Sequence, residues 1–166
     1  MNWRQAYFRQ AESDYSVFAD LNNPRQPLCH RLHYLQMAAE KLAKSFMYAD
    51  TAPPERMTHR VLVSFLKLSK GRPEIRDAMG YSNNYPAYVS YVDSLLATAE
   101  HVEQLAPVGT DCKTLNAEYP WQKSASDPVT CPCLYEYPEF PMTDMTRFMA
   151  LVSRLLRIGR ALLHIS

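Results

Sequence analysis

The chain has 166 residues, 47% of them hydrophobic, and a formal net charge of +1 at pH 7. It is long enough to bury a core but too short for two full domains, so residues 1–166 are predicted to form a single domain. The near-neutral total excludes an argument from overall charge for nucleic-acid binding, although an acidic middle separates two basic ends.

The chain shows no targeting or membrane segment. No apolar run is long enough to span a bilayer, and the N-terminus lacks the apolar stretch and cleavage site of a signal peptide. We therefore expect a soluble, cytoplasmic protein without membrane contact. Four cysteines in a chain of this length do not suggest a secreted disulfide framework, so we expect reduced thiols.

The first half of the chain predicts two long helices. Residues 2–21 carry apolar side chains mostly at three- and four-residue steps, at Trp3, Tyr7, Ala11, Val17, Phe18 and Leu21. The segment NNPRQP ends this helix. A second helix is predicted from Leu28 to near Asp50. Its narrow apolar stripe consists of Leu28, Leu32, Leu35, Ala39, Leu42 and Phe46.

Shorter helices are predicted in the middle of the chain. The first has Thr58 as its N-cap and an inner face of Val61, Leu62, Phe65 and Leu66. PEIRDAMG predicts a small helix with Pro73 in its first turn and Gly80 at its end. Residues 86–105 predict one further helix, with an inner face of Tyr88, Val92, Leu95, Ala99, Val102 and Leu105.

The final helix is predicted to start at Thr143, with Asp144 favourable in its first turn, and to run almost to the C-terminus. Its inner face is predicted to be Phe148, Val152, Leu155, Gly159 and Leu162. Before it, residues 107–141 hold six of the twelve prolines and three of the four cysteines, without periodicity. Their Tyr119, Trp121, Tyr135, Tyr137 and Phe140 predict an ordered loop that straps across the helices.

These elements predict the fold class. It is all-α: an antiparallel up-down bundle of four main helices plus short extra helices, with a long Pro-rich insert before the last helix.

Glu40 and Lys44 lie opposite the leucine stripe of the second helix, as an i, i+4 pair with the acid N-terminal to the base. We interpret that side as a solvated face.

Three stretches of the chain resemble the HEPN family of small helical-bundle proteins. They are AESDYSVFADL in the first helix, LQMAAEKLAKSFM in the second and THRVLVSFL in the third. Glu40, Lys41 and Lys44 carry the family-like pattern of the second stretch. The resemblance implies an antiparallel bundle that commonly forms a homodimer. It also implies a role in RNA cleavage, nucleotide binding, or toxin–antitoxin and defence systems.

The resemblance also implies a candidate catalytic pair. Many HEPN ribonucleases act without metal and use an Arg followed, after roughly four to six residues, by a His that serves as acid or base. Arg157 and His164 are separated by six residues on the last helix. With twelve Arg and five His, about one such match arises by chance, and Arg25 with His30 is a second. The spacing alone therefore carries no weight, and the pair Arg157 and His164 is favoured only by its position on the last helix.

Basic residues supply candidate ligand-binding positions. Arg147, Arg154 and Arg160 share the outward face of the last helix with Arg157 and could bind phosphates or an acidic partner without cleavage. His59 at the start of the third helix, with Arg56 and Arg60, suggests a phosphate or nucleotide site, or else a His that packs against the turn.

Cys131-Pro-Cys133, with Cys112 upstream, raises the alternative of a zinc site with Cys29 or a His as fourth ligand. Only one close cysteine pair is present, so we expect unligated, reduced thiols and no metal or cofactor.

The leading interpretation is a binding module for a nucleotide, an RNA or a partner protein. One alternative is a metal-independent ribonuclease that uses Arg157 and His164. Another is a purely structural partner whose tyrosine-rich insert docks on another protein.

Overall fold

The computed structural model describes residues 1–21, 23, 25–48, 61–106 and 115–165. These residues are all-α, with one 3-10 turn and no β-strand among them. The helices are α1 (Trp3–Asp20), α2 (Leu28–Met47), α3 (Leu62–Ser69), α4 (Pro73–Ala78), α5 (Tyr85–Asp93), α6 (Leu96–Gln104) and α7 (Met142–Leu162). The 3-10 turn, Pro132–Leu134, lies between α6 and α7. In this described part of the chain, each helix is too short or too polar to cross a membrane.

Helices α1 and α2 form an antiparallel hairpin. Asn2 starts α1 with a capping box, because its side chain accepts from Gln5 N at 2.9 Å and its own N–H donates to Gln5 Oε1 at 3.2 Å. Arg4 Nε donates to the Ser45 carbonyl at 3.0 Å, near the open end of the hairpin. The predicted bounds of the first two helices are confirmed to within a few residues.

The inner face of α1 differs from the prediction. Trp3 is 42% exposed and Tyr7 is half-buried, whereas Phe8, Ala11 and Phe18 are buried. The reason is that α1 packs against both α2 and α7, which centres its buried stripe on Ala11 and leaves the Trp3 ring at the edge. Periodicity identified the helix but placed its stripe too far to one side.

Helix α2 is surrounded by other elements. It packs against α1, α3, α6, α7 and the 3-10 turn. Its predicted stripe is buried except for Leu28 in the first turn, which is 36% exposed. Glu40 and Lys44 are also buried, at 5% and 3% exposure, so the predicted solvated face is wrong. A helix with neighbours on several sides has little surface left for a polar face.

The short middle helices pack as the sequence indicates, with one break. Val61, Leu62, Phe65 and Leu66 are all buried. Helix α4 begins at Pro73, and Gly80 follows it with φ of 78°, as predicted. The predicted single helix over 86–105 is instead two helices, although all six predicted inner residues are buried. The chain tightens between them, where Leu95 N donates to the Val92 carbonyl at 3.0 Å.

The start of α3 is capped by another helix. Glu103 on α6 accepts from the backbone N–H of Leu62 at 2.8 Å, so a carboxylate meets the positive end of the α3 dipole. The predicted N-cap Thr58 lies outside the described residues. This contact fixes α3 against α6 over a long sequence separation.

The described part of the predicted insert, residues 115–141, is an ordered loop that we call the strap. Trp121 and Thr130 form an isolated antiparallel bridge, and the 3-10 turn packs on α2. The buried Tyr137 hydroxyl donates to the Asn116 carbonyl at 3.1 Å. His101 on α6 contacts the Glu139 carbonyl through Nδ1 at 3.1 Å. These contacts hold the strap against α2 and α6.

Helix α7 begins at Met142, one residue before the predicted Thr143, and contributes Phe148, Val152, Leu155 and Gly159 to the core. It ends in a Schellman motif, in which the Ile165 N–H donates to the Arg160 carbonyl at 2.9 Å. His164 holds the left-handed position of this motif, with φ of 52°. Core side chains from all seven helices and the strap form one continuous hydrophobic cluster.

Candidate functional site

The arginines of α7 do not form one open face. Arg147 donates to Ser94 Oγ, between α5 and α6, at 2.7 Å. Arg154 donates to the Met79 carbonyl at the end of α4, and its buried Nε has no partner among the described residues. Both guanidinium groups therefore tie α7 to neighbouring elements. Their predicted role as ligand-binding groups competes with these contacts.

Cations do converge where the end of α7 meets α1. Arg160 Nε lies 2.6 Å from Glu12 Oε1, and Arg9 Nη1 lies 3.6 Å from Glu12 Oε2. The Arg160 and Arg9 side chains are nevertheless 54% and 44% exposed. Arg157, one turn before Arg160, is exposed as well. We call Arg9, Glu12, Arg157, Arg160 and His164 the terminal basic cluster.

An open polar depression lies beside this cluster. It has a volume of about 240 Å³ and is lined by Met1, Gln5, Arg9 and Ile165. The cluster has three guanidinium groups and one carboxylate, so its arginines leave it positively charged without any contribution from His164. Arg9 and Glu12 were missed at the sequence level, since only the packing of α1 on α7 brings them to Arg160.

His164 has a clear backbone role. It lies just beyond α7, in the left-handed conformation that closes the helix, and its ring is exposed. Among the described residues, no hydrogen bond or ion pair involves this ring or the Arg157 guanidinium. The two candidate catalytic groups thus share one end of the molecule, but no neighbouring group orients the imidazole for proton transfer.

The other basic group predicted from the sequence lies before α3. Arg56, His59 and Arg60 lie outside the described residues, so the phosphate or nucleotide site predicted for them stays a prediction.

The family-pattern residues of α2 take part in a buried charge network with α1. Lys44 Nζ lies 2.5 Å from Glu40 Oε1 and 5.6 Å from the centre of the Tyr7 ring. Gln36 donates to Glu40 Oε2 at 2.9 Å. One turn away, Lys41 Nζ lies 2.6 Å from Asp14 Oδ2. This network joins the two helices of the hairpin through compensated charges.

A shallow apolar groove runs along the edge of this network. Its volume is about 250 Å³, and its lining consists of Trp3, Ala6, Tyr7, Gln10 and Lys41. Because Lys41 is paired with Asp14, the groove presents mainly aromatic and apolar surface.

A further cavity of about 370 Å³ lies between the strap and the start of α2. Its lining includes Cys29 and His33 of α2 and Glu118, Cys131 and Cys133 of the strap. Burial raises the pKa of the Cys29 thiol, and a hydrogen bond with Cys131 raises that of Cys133. Within the described residues, no group of three or more His, Cys, Asp or Glu side chains is arranged to hold a metal ion. Cys112 lies outside them.

The aromatic residues of the strap divide into two groups. Trp121, Tyr137 and Phe140 are buried and belong to the packing, whereas Tyr119 is 52% exposed. A docking role for the strap would therefore use Tyr119, because truncation of Trp121 would damage the fold itself.

Comparisons of the chain with protein-family profiles, curated proteins and solved structures found no match. The resemblance to HEPN domains accordingly stays a proposal that rests on the residues of this chain.

Proposed function

We propose that the chain is a HEPN-like binding module for RNA, with four main helices in antiparallel up-down order, and that the terminal basic cluster is its contact surface. The observation that carries this proposal is that the exposed Arg9 and Arg160 both contact Glu12 where α7 meets α1, with the exposed Arg157 one turn before Arg160. A homodimer would present two such surfaces. A place in a toxin–antitoxin, defence or regulatory pair fits this role.

The chemistry of the cluster suits a phosphate backbone. Guanidinium groups bind phosphate oxygens through charge-assisted hydrogen bonds, and binding releases the counterions of the nucleic acid. The depression beside the cluster is open, so it suits an extended polyanion better than a small nucleotide that needs enclosure.

Metal-independent RNA cleavage by Arg157 and His164 is the second candidate. The exposure of both side chains at the same end of α7 favours it. Against cleavage, the His164 ring has no orienting partner within the described part of the chain. Binding without cleavage is therefore the preferred proposal, and cleavage is an outcome that the experiment must detect.

The test measures binding of labelled, mixed-sequence single-stranded RNA in EDTA at several salt concentrations. The variant Arg9→Gln/Arg157→Gln/Arg160→Gln is compared with a control that removes three exposed charges elsewhere, Arg25→Gln/Lys67→Gln/Lys123→Gln. Loss of three phosphate contacts should weaken binding at least roughly tenfold and lower the salt slope by about 2. The control variant should have an RNA affinity and a salt slope much closer to those of the wild type.

Each other result has a definite meaning. No RNA binding by the wild type would overturn the proposal, and equal losses in the two triple variants would remove the terminal basic cluster from it. Cleavage by the wild type that is lost in both Arg157→Gln and His164→Gly would make the protein a ribonuclease. Binding of an acidic protein instead of RNA would support the partner-protein alternative.

A further inference from the structure

The cavity between the strap and α2 contains a chemical group that RNA binding does not use. Cys131 and Cys133 are free thiols whose Sγ atoms lie 3.3 Å apart. Cys29, also a free thiol, lines the same cavity from the α2 side. The fold therefore gathers three of the four cysteines of the chain at one place.

The local backbone holds the two strap thiols together. Cys131 directly precedes the 3-10 turn and Cys133 lies within it, and the Leu134 N–H donates to the Cys131 carbonyl at 3.0 Å. Pro132 between them is buried and anchors the turn. On the other side, Thr130 N donates to the Trp121 carbonyl at 2.7 Å. The pair thus sits on a backbone braced on both sides.

Closing a disulfide bond at this place requires little movement. A disulfide bond is about 2.05 Å long, so the two sulfur atoms need to approach by about 1.3 Å from their present separation. Rotation of the two side chains can bring the sulfur atoms closer. The backbone hydrogen bonds on either side of the pair keep the two residues in place while this happens.

The thiols of the cavity differ in their access to solvent. Cys133 is exposed, Cys131 is half-buried and Cys29 is only 2% exposed. A small disulfide in solution therefore reaches Cys133 first, and Cys131 is next to it to complete the exchange. Cys29 lies behind them.

We propose that Cys131 and Cys133 are a redox-active dithiol that closes to an intramolecular disulfide by exchange with a low-molecular-weight disulfide such as oxidised glutathione. The Cys133 thiolate attacks one sulfur of glutathione disulfide, which forms a mixed disulfide and releases one glutathione thiolate. The Cys131 thiolate then attacks the Cys133 sulfur and releases the second. The protein loses two electrons and two protons, and one glutathione disulfide becomes two glutathione thiols.

This chemistry fits a reducing compartment. Disulfides of cytosolic proteins are mostly transient and redox-sensing rather than structural. A pair that opens and closes with the glutathione pool changes its own oxidation state as the state of the pool changes. Zinc binding would require further ligands, and no third donor among the described residues is placed with these two to hold a metal ion.

The test equilibrates the full chain with mixtures of reduced and oxidised glutathione, followed by acid quench, alkylation with N-ethylmaleimide, tryptic digestion and mass spectrometry. Trypsin cleaves after Lys123 and Arg147, so the peptide 124–147 carries both thiols and excludes Cys29 and Cys112. The expected product is this peptide with two hydrogens lost and no alkylation. Removing reduced glutathione should raise its share, and adding it should lower it.

Two variants separate the steps. In Cys131→Ser the mixed disulfide on Cys133 cannot be resolved, so the glutathione adduct should be at least roughly tenfold more abundant than in the wild type, where a neighbouring thiol removes it. Cys29→Ala is the control and should leave the wild-type pattern unchanged. Circular dichroism checks the fold of each variant.

A second probe does not depend on any variant. Phenylarsine oxide bridges two close thiols, and one equivalent should protect both cysteines of the peptide 124–147 from alkylation in the wild type. Glutathione adducts at equal levels in wild type and Cys131→Ser would overturn the proposal, as would pairing of this peptide with Cys29 or Cys112. Protection of both thiols from alkylation without phenylarsine oxide, if it disappears when a chelator is added, would identify a metal site instead.

Discussion

The ring of Phe8 occupies the space where a side chain at Gly159 would begin. A Cβ built on Gly159 would lie 2.3 Å from Cε2 of Phe8, and both residues are buried where α7 crosses α1. Glycine is therefore required by the close approach of the two helices, although it lies inside a helix, where it is usually unfavourable.

Gly159→Ala should destabilise the protein by about 2 kcal/mol. The steric cost is near the upper end of the usual overpacking range of about 1–3 kcal/mol, and it exceeds the gain of about 1 kcal/mol from better helix propensity. Urea unfolding measures the difference. The control is Gly71→Ala, where the nearest atom would be 3.7 Å away and little change is expected. Equal unfolding midpoints for Gly159→Ala and wild type would contradict the predicted contact.

Breaking the buried Glu40–Lys44 pair should be costly. Lys44→Met removes the ammonium group that pairs with the Glu40 carboxylate in the core, and breaking a buried pair in this way typically costs about 3–5 kcal/mol. The double variant Glu40→Leu/Lys44→Met removes both charges and should recover most of that loss. Denaturant unfolding of wild type, Glu40→Leu, Lys44→Met and the double variant forms a double-mutant cycle.

The matched control for this pair is Lys70→Met. Lys70 pairs with Asp93, whose side chain is 47% exposed, and loss of such a pair costs at most about 1 kcal/mol. If Lys44→Met is no more harmful than Lys70→Met, the network between α1 and α2 does not contribute as argued.

Stability should fall at alkaline pH because of Tyr137. Burial raises the pKa of its hydroxyl, which donates to the Asn116 carbonyl, well above the ordinary tyrosine value. In the unfolded chain the hydroxyl ionises near pH ~10, so the folded state binds more protons above that pH. The free energy of unfolding should therefore be insensitive to this group below pH ~10 and decrease as pH rises further.

Tyr137→Phe tests this dependence. The variant should lose about 1 kcal/mol at neutral pH, from the missing hydrogen bond, yet show a shallower decline above pH ~10 than the wild type. Burial also raises the pKa of Tyr88 and Tyr91, so part of the decline should remain. Urea midpoints across pH measure the slopes, and an unchanged slope in Tyr137→Phe would count against the assignment.

His164→Gly should be more stable than His164→Ala by about 1 kcal/mol. The residue has φ of 52°, a conformation that glycine adopts without strain and alanine does not. Thermal unfolding of the two variants measures the difference, and a more stable alanine variant would contradict the helix-closing role. A test of catalysis by the imidazole should therefore use His164→Gly, which removes the ring without straining the end of α7.

Glu12→Gln should strengthen RNA binding if the proposed function is correct. The substitution removes a carboxylate that both Arg9 and Arg160 contact. Removing an opposing charge a few ångströms from the phosphates is worth about 1 kcal/mol in solvent, or roughly fivefold in affinity at low salt. The control Glu74→Gln removes an exposed acid on α4, and an equal gain there would mean that only net charge matters.

Local patterns allowed much of the fold to be predicted. The helix of Pro73, the turn at Gly80 and the buried face of Val61, Leu62, Phe65 and Leu66 all follow from neighbours within a few residues in the chain. The same reasoning missed the break between α5 and α6. A tightened turn at Ser94 and Leu95 preserves the apolar face on both sides, so the periodicity carries no sign of it.

The remaining features depend on which helices meet. Glu40 and Lys44 have the spacing of a surface pair, and only the elements packed around α2 bury them. The outward arginines of α7 separate into two that hold neighbouring elements and two at the terminal basic cluster, according to what lies opposite each. Helical period and turn residues are properties of a short segment of chain. Burial, ion pairing and the approach of Cys29 to Cys131 come from contacts between segments distant in sequence, which no local pattern encodes.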